Sequence, residues 1–223
     1  AGVEKLALIL PNGENQLRWE RQLTELAVRH GVRHLVKLSS MEALPGATLG
    51  VHRMHWQSEE FIRHSGIGAT MVRATFYMQN FLATAATIRS AGEIRFPFGD
   101  RGAASMVDSR DIGAFIARVL TSAGHEGKSY DVTGEDRCSF HDAAVVFSEV
   151  LQRPVRYVPV EAAESRAALA KVLTGAWHLD AVCEIFAEIE HGYVAATTDT
   201  FREQMGRAPI SLKQFILDHR GAF

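Results

Sequence analysis

Two side chains with acid–base chemistry, His55 and Glu59, lie four positions apart in a segment whose apolar periodicity predicts a helix over residues 52–64. Residues at this spacing share one helix face. A carboxylate beside an imidazole raises the imidazole pKa and orients the ring, as general acid–base catalysis requires. A solvated surface pair has the same spacing, and that alternative stays open. His55 and Glu59 are therefore candidate catalytic residues.

The same helix could also hold a metal ion. His52 extends the pair to H-x-x-H-x-x-x-E, and imidazole with carboxylate is a ligand set that zinc or iron accepts. No second motif elsewhere in the sequence completes a coordination shell. We therefore expect no metal site.

A run of aromatic and polar residues follows a predicted strand over residues 69–73. Thr75, Phe76, Tyr77 and Asn80 stand there, where rings beside an amide can stack and anchor a flat substrate. Core packing is the competing interpretation for Phe76, whereas the polar ends of Tyr77 and Asn80 need partners. We take all four as candidate substrate-binding residues, and Tyr77 also as a candidate acid or base.

Two serines end another predicted strand, over residues 33–39. Ser39 and Ser40 stand at the edge that faces the ligand crevice in open α/β folds. Serines also commonly begin loops, so a purely local role remains an alternative.

The segments that carry these residues alternate between strand and helix patterns. Strands are predicted over residues 3–10, 33–39, 69–73 and 128–133, and helices over residues 15–30, 52–64, 76–90 and 110–121. This order predicts an α/β fold with a parallel sheet and right-handed crossovers. Two capping boxes are expected, Ser139 with Asp142 and Ser211 with Gln214. We expect a Rossmann-like core over residues 1–134 and a mostly helical region over residues 135–223 that covers the substrate side and shares strands with the core.

Composition limits the class of protein. The 223 residues are 47% hydrophobic with a formal charge of −2, and no basic stripe indicates nucleic-acid binding. No apolar run approaches the roughly 18 residues that a membrane span needs. The two cysteines, Cys138 and Cys183, have no C-x-x-C spacing, which favours a reducing cytoplasm. We expect a cytoplasmic protein without membrane or nucleic-acid partners.

The sequence lacks the loops that usually bind nucleotide phosphates. Neither G-x-G-x-x-G nor G-x-x-x-x-G-K-[ST] occurs. Any function that uses a dinucleotide must therefore explain where its pyrophosphate binds.

Several stretches, in order, resemble the NmrA-like branch of the atypical short-chain dehydrogenases/reductases. They are VEKLALILP, AVRHGVRHLVKLSS, HWQSEEFIRHSG with VRATFYMQNF, SMVDSRDIGAFIARVLTSAGHEGKSYDVTG, RPVRYVPV and DTFREQMGRAPISLKQFILDH. The resemblance covers nearly the whole chain. It implies that VEKLALIL is the fourth strand of the family's sheet, so that about seventy family residues, with the glycine-rich loop, have no counterpart in this sequence.

The resemblance also implies roles for particular residues. The cofactor would be NADP or NAD, or none in a chain without the phosphate loop. Pro11, Ser39 and Ser40 would line the nicotinamide side of the cleft. Tyr77 and Asn80 would border the substrate.

Two further positions follow from the same resemblance. His55 and Glu59 occupy the helix that carries Tyr-x-x-x-Lys in typical members, so the usual proton relay does not carry over. In this branch, hydride delivery needs little help from a dedicated acid. Asp111 matches a structural aspartate.

Three functions are consistent with these observations. The first is an NAD(P)H-dependent reductase of quinone-like or other electron-poor flat substrates. The second is a regulatory protein that senses NAD(P) without turning it over. The third is a cofactor-free cyclase, isomerase or dehydratase that uses His55, Glu59 and Tyr77.

The first predicted strand, over residues 3–10, would be an apolar edge of the sheet. Such edges pair with other chains. We expect a homodimer through this edge, or a C-terminal tail that wraps over it.

Overall fold

The computed structural model describes residues 2–192 and 194–223. The β-strands, in chain order, are β1 (Lys5–Leu8), β2 (His34–Ser40), β3 (Gly68–Ala74), β4 (Glu93–Phe96), β5 (Ala103–Ala104), β6 (Ser129–Val132), β7 (Cys138–Ser139) and β8 (Arg156–Pro159). The α-helices are α1 (Gln16–Arg29), α2 (Gly50–His64), α3 (Ala85–Ala91), α4 (Ser109–Thr121), α5 (Phe140–Leu151), α6 (Ala162–Leu169), α7 (Ala176–Glu190), α8 (Thr200–Met205) and α9 (Leu212–Asp218). A 3-10 helix spans Met78–Thr84.

The main sheet has the strand order β1-β2-β3-β6, and each neighbouring pair is parallel. Helices connect the strands, as parallel crossovers require. The α/β, Rossmann-like fold expected from the alternating pattern is confirmed. The carboxyl ends of β1, β2 and β3 therefore lie along one edge of the sheet, where such folds bind ligands.

The two faces of the sheet pack against different helices. Val36 and Val72 point to one face and contact Phe115 of α4 in a buried cluster. Leu35 and Met71 point to the other face and pack with Ile62 of α2. Because side chains alternate along a strand, the later residues of β2 and β3 on this second face also meet α1 and α2.

The region after residue 134 pairs with strands that precede it. β8 adds in parallel to β4, and β7 pairs antiparallel with β5. An aromatic cluster packs between these elements; its buried phenylalanines are Phe76, Phe81, Phe96, Phe98, Phe140, Phe147, Phe215 and Phe223. Asp111 of α4 accepts hydrogen bonds from the Arg207 side chain and the Ile210 amide, which gives it the structural role that the resemblance implied.

The helix predicted over residues 76–90 is wrong in its first part. Phe76 and Tyr77 are extended, because the carbonyl of Phe76 accepts from the Val107 amide and the Met78 amide donates to the Val107 carbonyl. A 3-10 turn follows, and regular helix covers only Ala85–Ala91. Backbone pairing with a distant segment has overridden the local helical pattern.

One of the two expected capping boxes is confirmed. The Ser139 hydroxyl accepts from the Asp142 amide, and the Asp142 carboxylate accepts from the Ser139 amide. At α9 only half of the box forms. Ser211 accepts from the Gln214 amide, but the Gln214 side chain donates to Asp218 instead of returning to Ser211.

Strand β1 lies at the edge of the sheet and, among the described residues, pairs only with β2. Val3 and Ile9, which flank it, are 61% and 53% exposed, and Trp19 of α1 is also exposed. The expectation that the C-terminal tail covers this strand is wrong, since Phe223 packs on Phe147 of α5. In the described part of the chain, no helix has the length and apolar character to cross a membrane.

Candidate active site

A cavity of about 480 Å³ lies at the carboxyl ends of β1, β2 and β3. Its lining from this edge of the sheet is Leu10, Pro11, Asn12, Leu38, Ser39, Ser40, Ala74, Thr75, Phe76 and Tyr77. The opposite wall is apolar and consists of Val182, Ile185, Phe186 and Ile189 of α7, with Val194 beyond it. The C-terminal region thus covers the ligand edge of the sheet.

Hydrogen bonds hold Val194 at the cavity wall. The carbonyl of Val194 accepts from the amide and the hydroxyl of Ser105, at 3.0 and 3.2 Å, and from the Thr75 hydroxyl at 3.2 Å. Thr75 is therefore already engaged through its hydroxyl, and its contribution to the cavity is to fix this wall.

Most of the candidate residues come together in this cavity. Those that line it are Pro11, Ser39, Ser40, His55, Thr75, Phe76, Tyr77 and Asn80. Phe76 is 7% exposed and belongs to the aromatic cluster, so its ring closes the floor of the cavity. Asn80 is exposed at the mouth.

Glu59 lies behind the cavity wall and is fully buried. Arg73 of β3 binds both of its carboxylate oxygens, and Arg63 adds a third contact at 2.6 Å. The hydroxyl of Ser39 donates to Glu59 Oε1 at 2.6 Å. The arrangement makes Glu59 an anchor for the end of β2, and the surface-pair interpretation of His55 and Glu59 is wrong because both side chains are buried.

The expectation that Glu59 raises the pKa of His55 is also wrong. His55 Nδ1 lies 3.2 Å from Lys37 Nζ, and His55 Nε2 lies 3.1 Å from Asn12 Oδ1. Burial lowers the pKa of His55 well below its ordinary value, and the positive charge of Lys37 lowers it further. His55 is therefore neutral at pH 7.

The sequence did not single out Asn12, which lines the cavity, or Lys37, which contacts His55 from behind the wall. Lys37 is fully buried on β2, where Nζ donates to Glu20 Oε1 of α1 at 2.7 Å and to the Leu38 carbonyl at 3.1 Å. Burial lowers the pKa of Lys37, while Glu20 opposes that shift. A lysine inside an apolar strand was the available signal, because lysine is almost never fully buried unless it is paired.

Other titratable groups stand at the cavity wall. Burial raises the pKa of Tyr77 to about 12, so its phenol is protonated and can donate a hydrogen bond. Glu42 accepts from the Ser40 hydroxyl and lies 3.8 Å from His52 Nε2. Burial raises the pKa of Glu42 and lowers that of His52, and both shifts favour the uncharged forms.

The three residues of the possible metal motif turn to different partners. His52 faces Glu42, His55 faces Lys37 and Asn12, and Glu59 faces arginines. Among the residues that the structure describes, no group of three or more histidines, cysteines, aspartates or glutamates could hold a metal ion.

The cavity fits only one end of a dinucleotide. Its walls are largely apolar, with hydroxyl, amide and phenol groups at the sheet edge, which suits a nicotinamide ring and a second flat ring. No arginine or lysine is among the described residues that line it, so this lining offers a pyrophosphate no cationic partner.

Comparisons with known proteins agree with this fold. The chain is 32% identical over 222 residues to the NAD(P)H azoreductase of Xenophilus azovorans. This alignment covers 100% of this chain and 77% of that protein. It is 34% identical over 209 residues to the (4-alkanoyl-5-oxo-2,5-dihydrofuran-3-yl)methyl phosphate reductase of Streptomyces griseus. This alignment covers 92% of this chain and 72% of that reductase.

A solved structure shares the fold. The NADPH-dependent quinone oxidoreductase of Escherichia coli, complexed with NADPH, superposes with a TM-score of 0.86 at 25% identity, over 99% of this chain and 77% of that one. The profile of the NmrA-like family matches residues 1–203. On this match and these relatives, the chain belongs to the NmrA-like family.

Proposed function

We propose that this protein is an NAD(P)H-dependent reductase of quinone-like, azo or other electron-poor flat substrates. The cavity at the carboxyl ends of β1–β3 carries this proposal, because it combines apolar walls with a few polar groups. The azoreductase and quinone oxidoreductase relatives support the same reaction class.

The nicotinamide end of the cofactor is assigned to Pro11, Ser39 and Ser40. The hydroxyl hydrogen of Ser39 is committed to Glu59, and that of Ser40 to Glu42. Their oxygens therefore face a ligand as acceptors, which suits the N–H groups of a carboxamide. Pro11 gives this wall a rigid apolar surface.

The substrate is assigned to the side formed by Phe76, Tyr77 and Asn80. Phe76 supplies an apolar floor, while the phenol of Tyr77 and the amide of Asn80 are hydrogen-bonding groups that orient a planar molecule. Thr75 acts indirectly through its bond to Val194.

When bound, the reduced nicotinamide supplies a hydride, so that quinone, NAD(P)H and one proton give hydroquinone and NAD(P)⁺. The chain's own groups stabilise the negative charge that develops on the substrate oxygen, since the protonated phenol of Tyr77 is an O–H donor at the wall. On this proposal Glu59 does not contact the substrate; it holds Ser39 in place from behind the cavity wall. The apolar side of α7 keeps water from the reacting atoms.

We also propose that the protein forms a homodimer through the free edge of β1. The exposed Val3 and Ile9 beside that edge support this, because an unpaired apolar strand is a template for another strand.

The test is a fluorescence titration with NADPH and NADH, followed by cofactor oxidation with 1,4-naphthoquinone and an azo dye. We expect saturable binding and turnover, with the KM for the quinone raised about fivefold in Asn80→Ala by loss of one hydrogen bond. Lys213→Ala, on the exposed surface of α9, is the matched control. A chain that binds neither cofactor and oxidises neither contradicts the proposal.

A further inference from the structure

A chain of polar groups leads from the buried layer between sheet and helices to the cavity wall. Glu20 on α1, Lys37 on β2 and His55 on α2 are 1%, 0% and 6% exposed. The distances are 2.7 Å from Glu20 Oε1 to Lys37 Nζ, 3.2 Å from Lys37 Nζ to His55 Nδ1, and 3.1 Å from His55 Nε2 to Asn12 Oδ1. His55 and Asn12 line the cavity, whereas Glu20 and Lys37 lie behind it.

The ion pair with Glu20 favours the ammonium form of Lys37, and this form allows only one direction for the hydrogen bonds. A lysine ammonium has donors and no acceptor, so His55 Nδ1 must accept. In the neutral ring the hydrogen then sits on Nε2, which donates to the Asn12 oxygen. The amide oxygen of Asn12 is thereby fixed toward His55, and its NH₂ group is the outer end of the chain at the cavity wall.

The surroundings of His55 keep it in this single state. Lys37 faces it from β2, Asn12 from the loop after β1, and His52 from its own helix. Glu59, one turn further along α2, is committed to Arg63 and Arg73, and among the described residues no carboxylate is hydrogen-bonded to the ring.

Glu20 completes the arrangement. It is ion-paired with Lys37 and also accepts from Gln16 Nε2 at 3.0 Å, which offsets the cost of burying an ammonium group. The same contacts hold the lysine Nζ in place against His55.

We propose that Glu20 and Lys37 are positioning residues that act through His55 to hold the Asn12 NH₂ group as a hydrogen-bond donor for the acceptor atom of the substrate. This rests on the proposed function, and it deepens it by assigning specificity. The site then favours ligands that offer a carbonyl oxygen or azo nitrogen at this point and disfavours ligands that offer only N–H or O–H there.

The first measurement does not need catalysis. Histidine ¹⁵N spectra of the full chain are expected to show His55 neutral, with its hydrogen on Nε2, from about pH 6 to about pH 8. Addition of 1,4-naphthoquinone is expected to shift the Asn12 side-chain amide resonances. A hydrogen on Nδ1, or an unmoved Asn12 amide with bound quinone, overturns the proposal.

Variants separate positioning from simple structural support. The double variant Glu20→Leu, Lys37→Met replaces both charges with apolar groups, so neither is left unpaired in the core. We expect both neutral tautomers of His55, a His55 pKa nearer 6.5, and a KM for the quinone raised about fivefold with kcat changed less. The neutral pair Glu20→Gln, Lys37→Gln keeps a donor toward Nδ1 and should restore the Nε2 tautomer and the low KM. Equal behaviour of the two double variants in both readouts overturns the proposal.

A third comparison isolates Asn12. Asn12→Ala should raise the KM for the quinone as the apolar double variant does, and adding it to that variant should raise the KM little further. Asn15→Ala is the control, since Asn15 lies in the same loop and its side chain makes no capping hydrogen bond. If the parent chain reduces no quinone, the proposed function fails, while the tautomer and the Asn12 shift still decide the positioning role.

Discussion

Arg73 on β3 and Glu59 on α2 form a two-point ion pair, with Nε 3.0 Å from Oε1 and Nη2 2.7 Å from Oε2. The pair joins helix to sheet directly behind Ser39, which donates to the same carboxylate. An acidic residue that the sequence marked as a catalytic candidate therefore holds the cavity edge in shape.

Removal of this carboxylate should destabilise the fold. Glu59→Gln removes the carboxylate that binds Arg73 at two points and leaves the buried guanidinium with Asp131, whose Oδ1 lies 3.7 Å from Nη1, and we expect the free energy of unfolding to fall by about 3 kcal/mol. Urea unfolding followed by circular dichroism measures the loss. Glu60→Gln is the control, because Glu60 pairs with Arg63 at the surface and should change stability by less than about 0.5 kcal/mol. Similar losses in the two variants would show that burial of the pair does not matter.

Tyr77→Phe removes a phenol from the cavity wall and leaves the ring. We expect kcat/KM for 1,4-naphthoquinone to fall about two- to tenfold, the value of one hydrogen bond. Because burial raises the pKa of Tyr77 to about 12, the parent and the variant should have the same pH profile between about pH 6 and about pH 9. An alkaline decline that disappears in Tyr77→Phe would show that the phenol ionises in this range.

Stability should fall as the pH falls through 6.5. Burial lowers the pKa of His34, His52, His55 and His125 below 6.5, so the unfolded chain binds more protons than the folded one between the two pKa values. The stabilisation that comes from keeping these four histidines neutral is present above pH 6.5. It is lost as the pH drops toward the pKa values that the histidines have in the folded chain.

Unfolding free energies measured between pH 7.5 and pH 5 test this. The slope of the unfolding free energy against pH should become smaller in His34→Gln, by at most the amount that corresponds to about one proton. A flat profile in the parent chain would contradict the expected role of the buried histidines.

Charges placed beside the free edge of β1 should prevent self-association. We expect a dimer in light scattering for the parent chain and a monomer for the double variant Val3→Lys, Ile9→Lys. Val145→Lys, on the exposed face of α5, is the control and should remain dimeric. A monomeric parent whose β1 amides exchange rapidly with deuterium would contradict dimerisation through this strand.

The sequence predicted the fold well where local pattern and final contacts agree. The strand expected over residues 33–39 is observed as His34–Ser40, and the helix expected over residues 110–121 is observed as Ser109–Thr121. The Asp108 carboxylate caps this helix by accepting from the Arg110 amide. The prediction failed at Phe76 and Tyr77, since pairing with Val107 is a contact between distant segments.

The site was predicted less completely for the same reason. The helical spacing of His55 and Glu59 was correct, but their partners, Lys37 and Arg73, come from strands whose register no local pattern reveals. Lys37 and Glu20 are seventeen positions apart in sequence, and only the packing of α1 on β2 brings them together.

The strands that pair across residue 134 bear on how the molecule folds. β4 has its hydrogen-bonded partner strand only after β8 has formed, and β5 likewise needs β7. The two regions should therefore unfold in one cooperative transition, and neither fragment of a chain cut near residue 134 should be stable by itself. Mixed together, the two fragments should reassemble, because each carries the missing strands of the other.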